Sequence, residues 1–468
     1  MQKSSSSQPT LAELFRNGNF VKFWVGQVIS YLGDRVDQMA MIAVVSAGVK
    51  GAIAADRANM ITFWATLPYV FMSFIAGPVV DRFDRRRLMI ALDIFRALVV
   101  VALPFTISPE HDVRVIYALV LLIGCATAIF APAKSAFLPE IVSERQLLRA
   151  NSVTATMGTL TTLFGTMIGG ALVSGLSRLN DIAHHTIPAL SVIKMPLGIA
   201  AAFVIDSASY LVSALLLWLI VVQAQERDQV AKRQSAFRSE DGFLRRAFDG
   251  VIFLAQHRVP AVAAFMVSWF FFIGGGYFTL TTKLTYLRLV KSEANATLQL
   301  GLAYGVLGLG LAIGGILAGR VAAHLHLRYF LPACFVTAAA LMLLNLLPLP
   351  PATLYWVNLA IGLAAGGVVV STETVMQRAV PDQMRGRVFA FNNLVLNILL
   401  LSSILAGSTI LKEGGELAAR FGGDEQRLAQ LALILSGLAM IGAGVGAIGF
   451  PRGLSIATVR QTDASQAD

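Results

Sequence analysis

Seven ionisable side chains lie inside stretches that are otherwise apolar: Asp34, Arg35, Asp37, Asp93, Arg96, Asp206 and Glu373. At the centre of a bilayer each costs about 2.5–3.5 kcal/mol on insertion scales, so placing all seven against lipid would cost on the order of 20 kcal/mol. They must face a cavity, pair with one another or sit near the end of a span. Five acids cannot all pair with two arginines, and the surplus points to carboxyls that exchange protons during a working cycle. Gln27, Tyr31, Asp34 and Gln38 recur at helical spacing and form one polar stripe, flanked by Ser30 and Asp37. A stripe through an apolar helix reads as the wall of a path. Asp34 falls on the order of 20 Å from the start of its helix, near mid-depth, where it suits a substrate or proton site or a fixed pair with a neighbouring arginine. Asp93 and Arg96 are three apart and can pair on one face. Asp206 lies near the middle of its span, and Glu373 is the acid within a span of the second half; both are coupling candidates, as is Arg96.

The elements that must hold these groups follow from composition. Of 468 residues, 56% are apolar and 14% are charged, with 40 glycines besides. A soluble domain has about 25% charged residues, and a soluble chain of this length would need several charged surfaces. Disorder, collagen and a disulfide scaffold are excluded as well, since Cys125 and Cys334 both sit in apolar runs. A spanning helix needs about 20 mostly apolar residues. On that basis twelve spans are read at 20–48, 58–80, 88–108, 113–131, 152–176, 197–222, 259–281, 298–319, 329–348, 354–377, 391–411 and 428–450. The alternating ten-residue pattern of a membrane barrel is missing. The expected fold class is an all-α membrane protein.

The net charge of +10 resolves along the chain. With the N-terminus inside, cytoplasmic segments hold 23 Lys and Arg and the opposite loops, counting Arg114 at the edge of its span, 11, which is a topology signal rather than a nucleic-acid footprint. The polar start MQKSSSSQPT lacks an adjoining apolar signal core, so both termini are expected in the cytoplasm of a bacterial inner-membrane protein. Residues 223–258 divide the chain into an N-terminal half, 1–222, and a C-terminal half, 259–468. The linker's second part sets Leu244, Phe248, Val251 and Ala255 on one helical face, which suits a helix lying on the inner membrane surface; a solvated linker helix is the alternative. Shifting the sequence by 242 residues superposes Gly33 on Gly275, Gly77 on Gly319, Pro139-Glu140 on Pro381-Asp382, Asn151 on Asn393 and Gly165 on Gly407. Tandem halves of this kind are a transporter architecture.

The loop after the second span reads Gly77-Pro-Val-Val-Asp81-Arg82-Phe-Asp84-Arg85-Arg86-Arg87. It resembles the loop motif G-x-x-x-D-R-x-G-R-R of the major facilitator superfamily. The chain is also similar to the branch containing macrolide exporters and the enterobactin exporter, through FRNGNFVKFWVGQVISYLGDR, FAPAKSAFLPEIVSERQLLRANS and QRAVPDQMRGRVFAFNN. The resemblance spans roughly residues 15–450. It implies two pseudo-symmetric six-helix bundles, the major facilitator fold, with Gly77, Asp81, Arg82, Arg85 and Arg86 as a conformational switch. Asp81 would accept from basic groups or helix N-termini of the facing half, and the arginines would pair with acids or lipid phosphates. Three departures stand out. Asp84 replaces the motif's glycine, Gly165-Thr-Met-Ile-Gly169-Gly170 lacks the antiporter proline, and Ala323 aligns with Asp81.

Further candidates are less specific. Trp64, Tyr69, Trp269, Phe270, Phe271, Phe272 and Tyr277 could line a site for a large apolar substrate. Asn392, Asn393 and Asn397 could bond across helices, and Gly301, Gly305, Gly308, Gly315 and Gly319 could let helices approach closely. Neither a phosphate loop nor a metalloprotease motif is present, and His184-His185 near Asp181 is a weak metal set; cofactors and metals are not expected. The expected function is secondary active export of an amphipathic or lipophilic small molecule, by proton antiport and alternating access. The expected partners are that substrate, protons and membrane lipids, without nucleic acid, and the expected state is a monomer. Alternatives are a siderophore or lysophospholipid transporter of the same fold, or a non-transporting receptor or scaffold.

Overall fold

Within a bilayer every backbone amide needs a partner inside the protein, and a helix supplies it locally. The computed structural model is helical over most of the residues it describes, which are 11–106, 113–177, 196–221, 243–290, 293–321, 326–420, 425–446, Phe450 and Val459. Among them, two α-helices are short: α1 (Leu11–Phe15) and α8 (Phe243–Gln256). The first six long helices are α2 (Gly18–Ser46), α3 (Gly51–Arg82), α4 (Arg85–Thr106), α5 (Val113–Phe137), α6 (Glu144–Ser177) and α7 (Leu197–Trp218). Six more follow α8: α9 (Arg258–Arg288), α10 (Glu293–Val321), α11 (Leu327–Leu344), α12 (Thr353–Ala379), α13 (Asp382–Arg420) and α14 (Glu425–Gly446). Each expected span falls on one of these twelve. Among the described residues, eight helices are long and apolar enough to cross a membrane by length and composition.

The helices pack as two units, residues 1–40 with 71–240 and residues 41–70 with 241–468. In the first, Leu14, Phe20, Phe23, Phe130, Phe137 and Leu217 form a dry core near the α3–α4 turn. Asn17 caps α2 by accepting from the amides of Asn19 and Phe20 at 3.0 and 3.2 Å. Asp84 does the same for α4, accepting from Arg87 N at 2.9 Å. That cap gives a local reason for an acid where the family motif has glycine.

In the second unit α9 is the central helix, surrounded by a core that includes Phe270, Phe335, Ile361, Val375 and Met440. Segment 41–70 joins it through two polar contacts. Tyr286 donates to Ser46 Oγ at 2.8 Å, and Asn59 Nδ2 to Thr279 O at 3.4 Å. α10 and α12 pack backbone to backbone at Gly310, Gly314, Gly362 and Gly366, where any Cβ would strike the facing main chain. Of the span-eight glycines named from sequence, Gly315 lies at this seam, whereas Gly319 faces open space. α8 docks on α13 through an Asp249–Arg387 ion pair at 2.6 Å, with Gly250 against Arg387 O. The residues of α8 that bury are Gly250, Phe253 and Leu254, while Val251 and Ala255 of the expected face are exposed. The side chains of Leu244 and Phe248 lie outside the described residues, as do residues 181–185.

Candidate functional site

The first unit encloses a polar cluster built by α2, α4 and α7. Gly33 makes it possible: a side chain there would collide with Asp206 and Ser209, so α2 and α7 touch at this level. Gly165 and Gly169 of α6 admit Arg35 and Val36 on the other side of α2 in the same way. At the cluster's centre Arg96 is 2% exposed and ion-paired with Asp93, which is fully buried. The Arg96 guanidinium lies over two rings, 4.2 Å from the centroid of Tyr210 and 4.6 Å from that of Phe130, a cation–π sandwich. Tyr210 also donates its hydroxyl to Asp34 Oδ1 at 2.5 Å. One phenol therefore links the α2 carboxylate to the α4 arginine. Asp206 sits one turn from Tyr210 on α7 and accepts from Ser209 at 3.2 Å; Asp37 is buried one turn from Asp34 on α2.

These groups are not fully satisfied by protein. Both amide atoms of Gln27, one carboxylate oxygen each of Asp37 and Asp206, and Arg96 Nε are buried with no hydrogen-bond partner among the described residues. Most buried polar atoms in proteins are hydrogen-bonded, so a cluster of exceptions sets this interior apart.

The stripe expected on α2 divides in two. Gln27 is buried, whereas Tyr31, Asp34 and Gln38 are half-buried on a more open face, together with Arg35. Arg35 donates to Gln38 Oε1 at 2.8 Å, and Lys134 of α5 donates to the Tyr31 hydroxyl. Glu373 lies elsewhere, exposed on α12 in the second unit. Tyr277, offered above as a lining residue, is buried and donates to Asn358 at 2.8 Å.

The basic residues after α3 make specific contacts. Arg85 pairs with Glu140 at 2.5 Å. Arg86 donates to Leu217 O at 2.7 Å and to Trp218 O. Lys22 and Asn19 reach Leu219 O and Val221 O nearby, at 2.9 and 2.8 Å. These donors cap the carbonyl end of α7, where a helix terminus carries partial negative charge. Arg82 is exposed, and a Cβ placed on Gly77 would meet nothing within 4 Å; the side chain of Asp81 lies outside the described residues.

The profile of the Major Facilitator Superfamily matches residues 23–405. The chain belongs to that superfamily. An uncharacterised MFS-type transporter of Bacillus subtilis, YfiS, is 24% identical over 86% of this chain and 88% of its own length. Macrolide efflux protein A of Streptococcus pyogenes is 26% identical over 33% of this chain and 38% of its own. The lysophospholipid transporter LplT of Photorhabdus laumondii is 26% identical over 42% of this chain and 49% of its own. Among solved structures, a bacterial homolog of the human lysosomal transporter Spinster, inward-facing and occupied, superposes with a TM-score of 0.65 at 14% identity, covering 93% of this chain and 95% of its own. The likeness shows a shared fold. As a member of the superfamily the protein is a multi-pass integral membrane transporter of small molecules, not an enzyme.

Of the site residues read from the sequence, the superfamily fold brings Gln27, Asp34, Asp37, Arg96 and Asp206 into one unit and leaves Glu373 apart. Sequence reasoning misses Tyr210 and Lys134. Tyr210 is one turn after Asp206, and that spacing is a signal that could find it. Lys134 reads as a loop residue because Pro132 interrupts the apolar run, yet α5 continues to Phe137.

Proposed function

We propose that the protein exports an amphipathic or lipophilic small molecule by proton antiport. Two six-helix halves, 1–222 and 259–468, would alternate access across an inner membrane, joined by 223–258, with α8 at the inner surface and both termini inside. The observation that carries this reading is the set of acids, with Asp37, Asp93 and Asp206 buried and Asp34 half-buried, gathered about the buried Arg96. Four charged carboxylates about one cation are costly to keep within a bilayer. Moving one charge through 100 mV supplies about 2.3 kcal/mol, enough to bias two states. Asp34 is the coupling carboxyl, being half-buried and reachable from the open face of α2. In this reading the Gly77–Arg86 loop, with Asp81 and Arg82, switches between states, and the monomer suffices.

The test is efflux of ethidium from energised intact cells expressing the full chain. Efflux that collapses with a protonophore and with Asp34→Asn supports antiport; efflux indifferent to the protonophore refutes it. Export of a lysophospholipid is the second reading, favoured by the similarity to a transporter of that class; a siderophore is a further cargo of the same fold.

A further inference from the structure

Lys134 and Arg35 are half-buried cations at the open face of α2, and their described partners are neutral. Lys134 donates to the Tyr31 hydroxyl, and its Nζ stands 4.8 Å from the centroid of that ring. Arg35 donates to the Gln38 amide oxygen at 2.8 Å. Neither forms an ion pair with a described residue, although acids are plentiful deeper in the same unit. Tyr31, the partner of Lys134, and Arg35 are one turn apart on α2, so both cations are held on one face of the helix. The arrangement is held in place from behind, because Gly165 of α6 seats the stem of Arg35.

Helix geometry separates this face from the acids. At about 100° per residue, Tyr31, Arg35 and Gln38 cluster on one side of α2, Asp37 points well away from them, and Asp34 stands at the border. The buried side carries negative charge around Arg96, and the open side carries positive charge. A cation within a membrane helix is costly unless it meets an anion or water, and two cations held on one face of a helix repel each other. That repulsion is relieved when an anion sits between them. Guanidinium offers a planar fork and ammonium three donors, a pair that fits the oxygens of a carboxylate or a phosphate.

We propose that Lys134 and Arg35 form a binding site for the anionic head of the cargo, a carboxylate or phosphate on an amphiphile. The inference rests on the transport reading above and adds to it the charge class of the substrate. Tyr31 holds Lys134 in place when the site is empty and yields it to the anion; Gln38 does the same for Arg35.

The experiment is binding of dodecyl phosphate, dodecanoate and dodecyltrimethylammonium to the full chain in phosphatidylcholine nanodiscs, followed by the thermal unfolding midpoint and tryptophan fluorescence. Dodecyl phosphate or dodecanoate should raise the midpoint saturably, the better of the two naming the head group, and the cation should not. Lys134→Gln and Arg35→Gln should each weaken anion binding roughly tenfold, as expected for loss of one charged hydrogen bond, while Lys134→Arg retains it. Should Lys134→Gln fail to fold, Arg35→Gln carries the comparison. Binding of the cation as tight as the anions, or unchanged anion binding in the glutamine variants, overturns the site. No gradient enters this measurement, so loss of the site with protonophore-sensitive ethidium efflux intact would leave the transport reading standing, and the converse result would leave the site standing.

Discussion

Arg96 is the residue on which the first unit's polar interior depends. Its guanidinium faces two aromatic rings and one carboxylate, with no solvent to share the charge. Removing one member of a buried pair leaves the other charged in a dry site, which typically costs about 3–5 kcal/mol, whereas replacing both is often neutral. Arg96→Met should therefore lower the unfolding midpoint in detergent sharply, by about 3–5 kcal/mol of stability, and Asp93→Asn added to it should restore most of the loss. Tyr210 separates stability from coupling. Tyr210→Phe keeps the ring under Arg96 and deletes the hydroxyl that binds Asp34. The expected stability change is about 1 kcal/mol, the net worth of one hydrogen bond, while protonophore-sensitive efflux falls well below wild type. Full efflux in that variant would show that the phenol only packs.

Glycines decide how closely the elements meet. At the α10–α12 seam the facing atoms are backbone, which cannot rotate aside, so Gly314→Ala should cost about 1–3 kcal/mol of overpacking. Gly319, on the same helix but facing open space, should accept alanine with no loss; paired thermal scans of the two variants check the contrast. Much of this level is legible in the sequence, because hydropathy over about twenty residues survives folding: each span read from the sequence falls on a long helix, and among the described residues eight of these are apolar enough by length and composition alone. Helix ends are less legible. The span read at 259–281 stops short, since α9 runs on to Arg288 with Thr282, Lys283 and Thr285 buried beyond it, as Thr279 and Thr281 are within it. Thr279, Thr282 and Thr285 bond back to carbonyls four residues earlier, which satisfies their hydroxyls inside the helix. Which glycines form a seam is hidden for another reason: it depends on the partner helix, and the 3.6-residue period names a face without naming what lies opposite. The same blindness hides Tyr210 and Lys134, whose importance comes from neighbours far along the chain, whereas the α2 stripe is visible from its own spacing.

At the scale of the whole chain, the 242-residue repeat is kept in packing and abandoned in chemistry. Gly165 admits α2 at Arg35 in the first unit, and its equivalent Gly407 admits α9 at Thr279 in the second. The same close approach is thus built twice. The positions equivalent to Asp34 and Asp37, however, are Gly276 and Thr279, and Arg96 corresponds to Ala338. Duplicated helices have come to divide the work, with the buried acids gathered in the first unit and a hydroxyl- and glycine-lined helix, which carries the buried Lys283, at the heart of the second. Glu373 is the acid that could contradict this division, since it lies in α12 at the membrane-spanning level of the second unit. Its side chain is exposed, so neutralising it removes no buried pair. Glu373→Gln should leave protonophore-sensitive ethidium efflux within about twofold of wild type, a change of under about 0.5 kcal/mol, whereas Asp34→Asn should abolish it with the fold intact by thermal scan. If Glu373→Gln uncouples efflux and Asp34→Asn does not, proton coupling belongs to the second unit and the four acids of the first are structural.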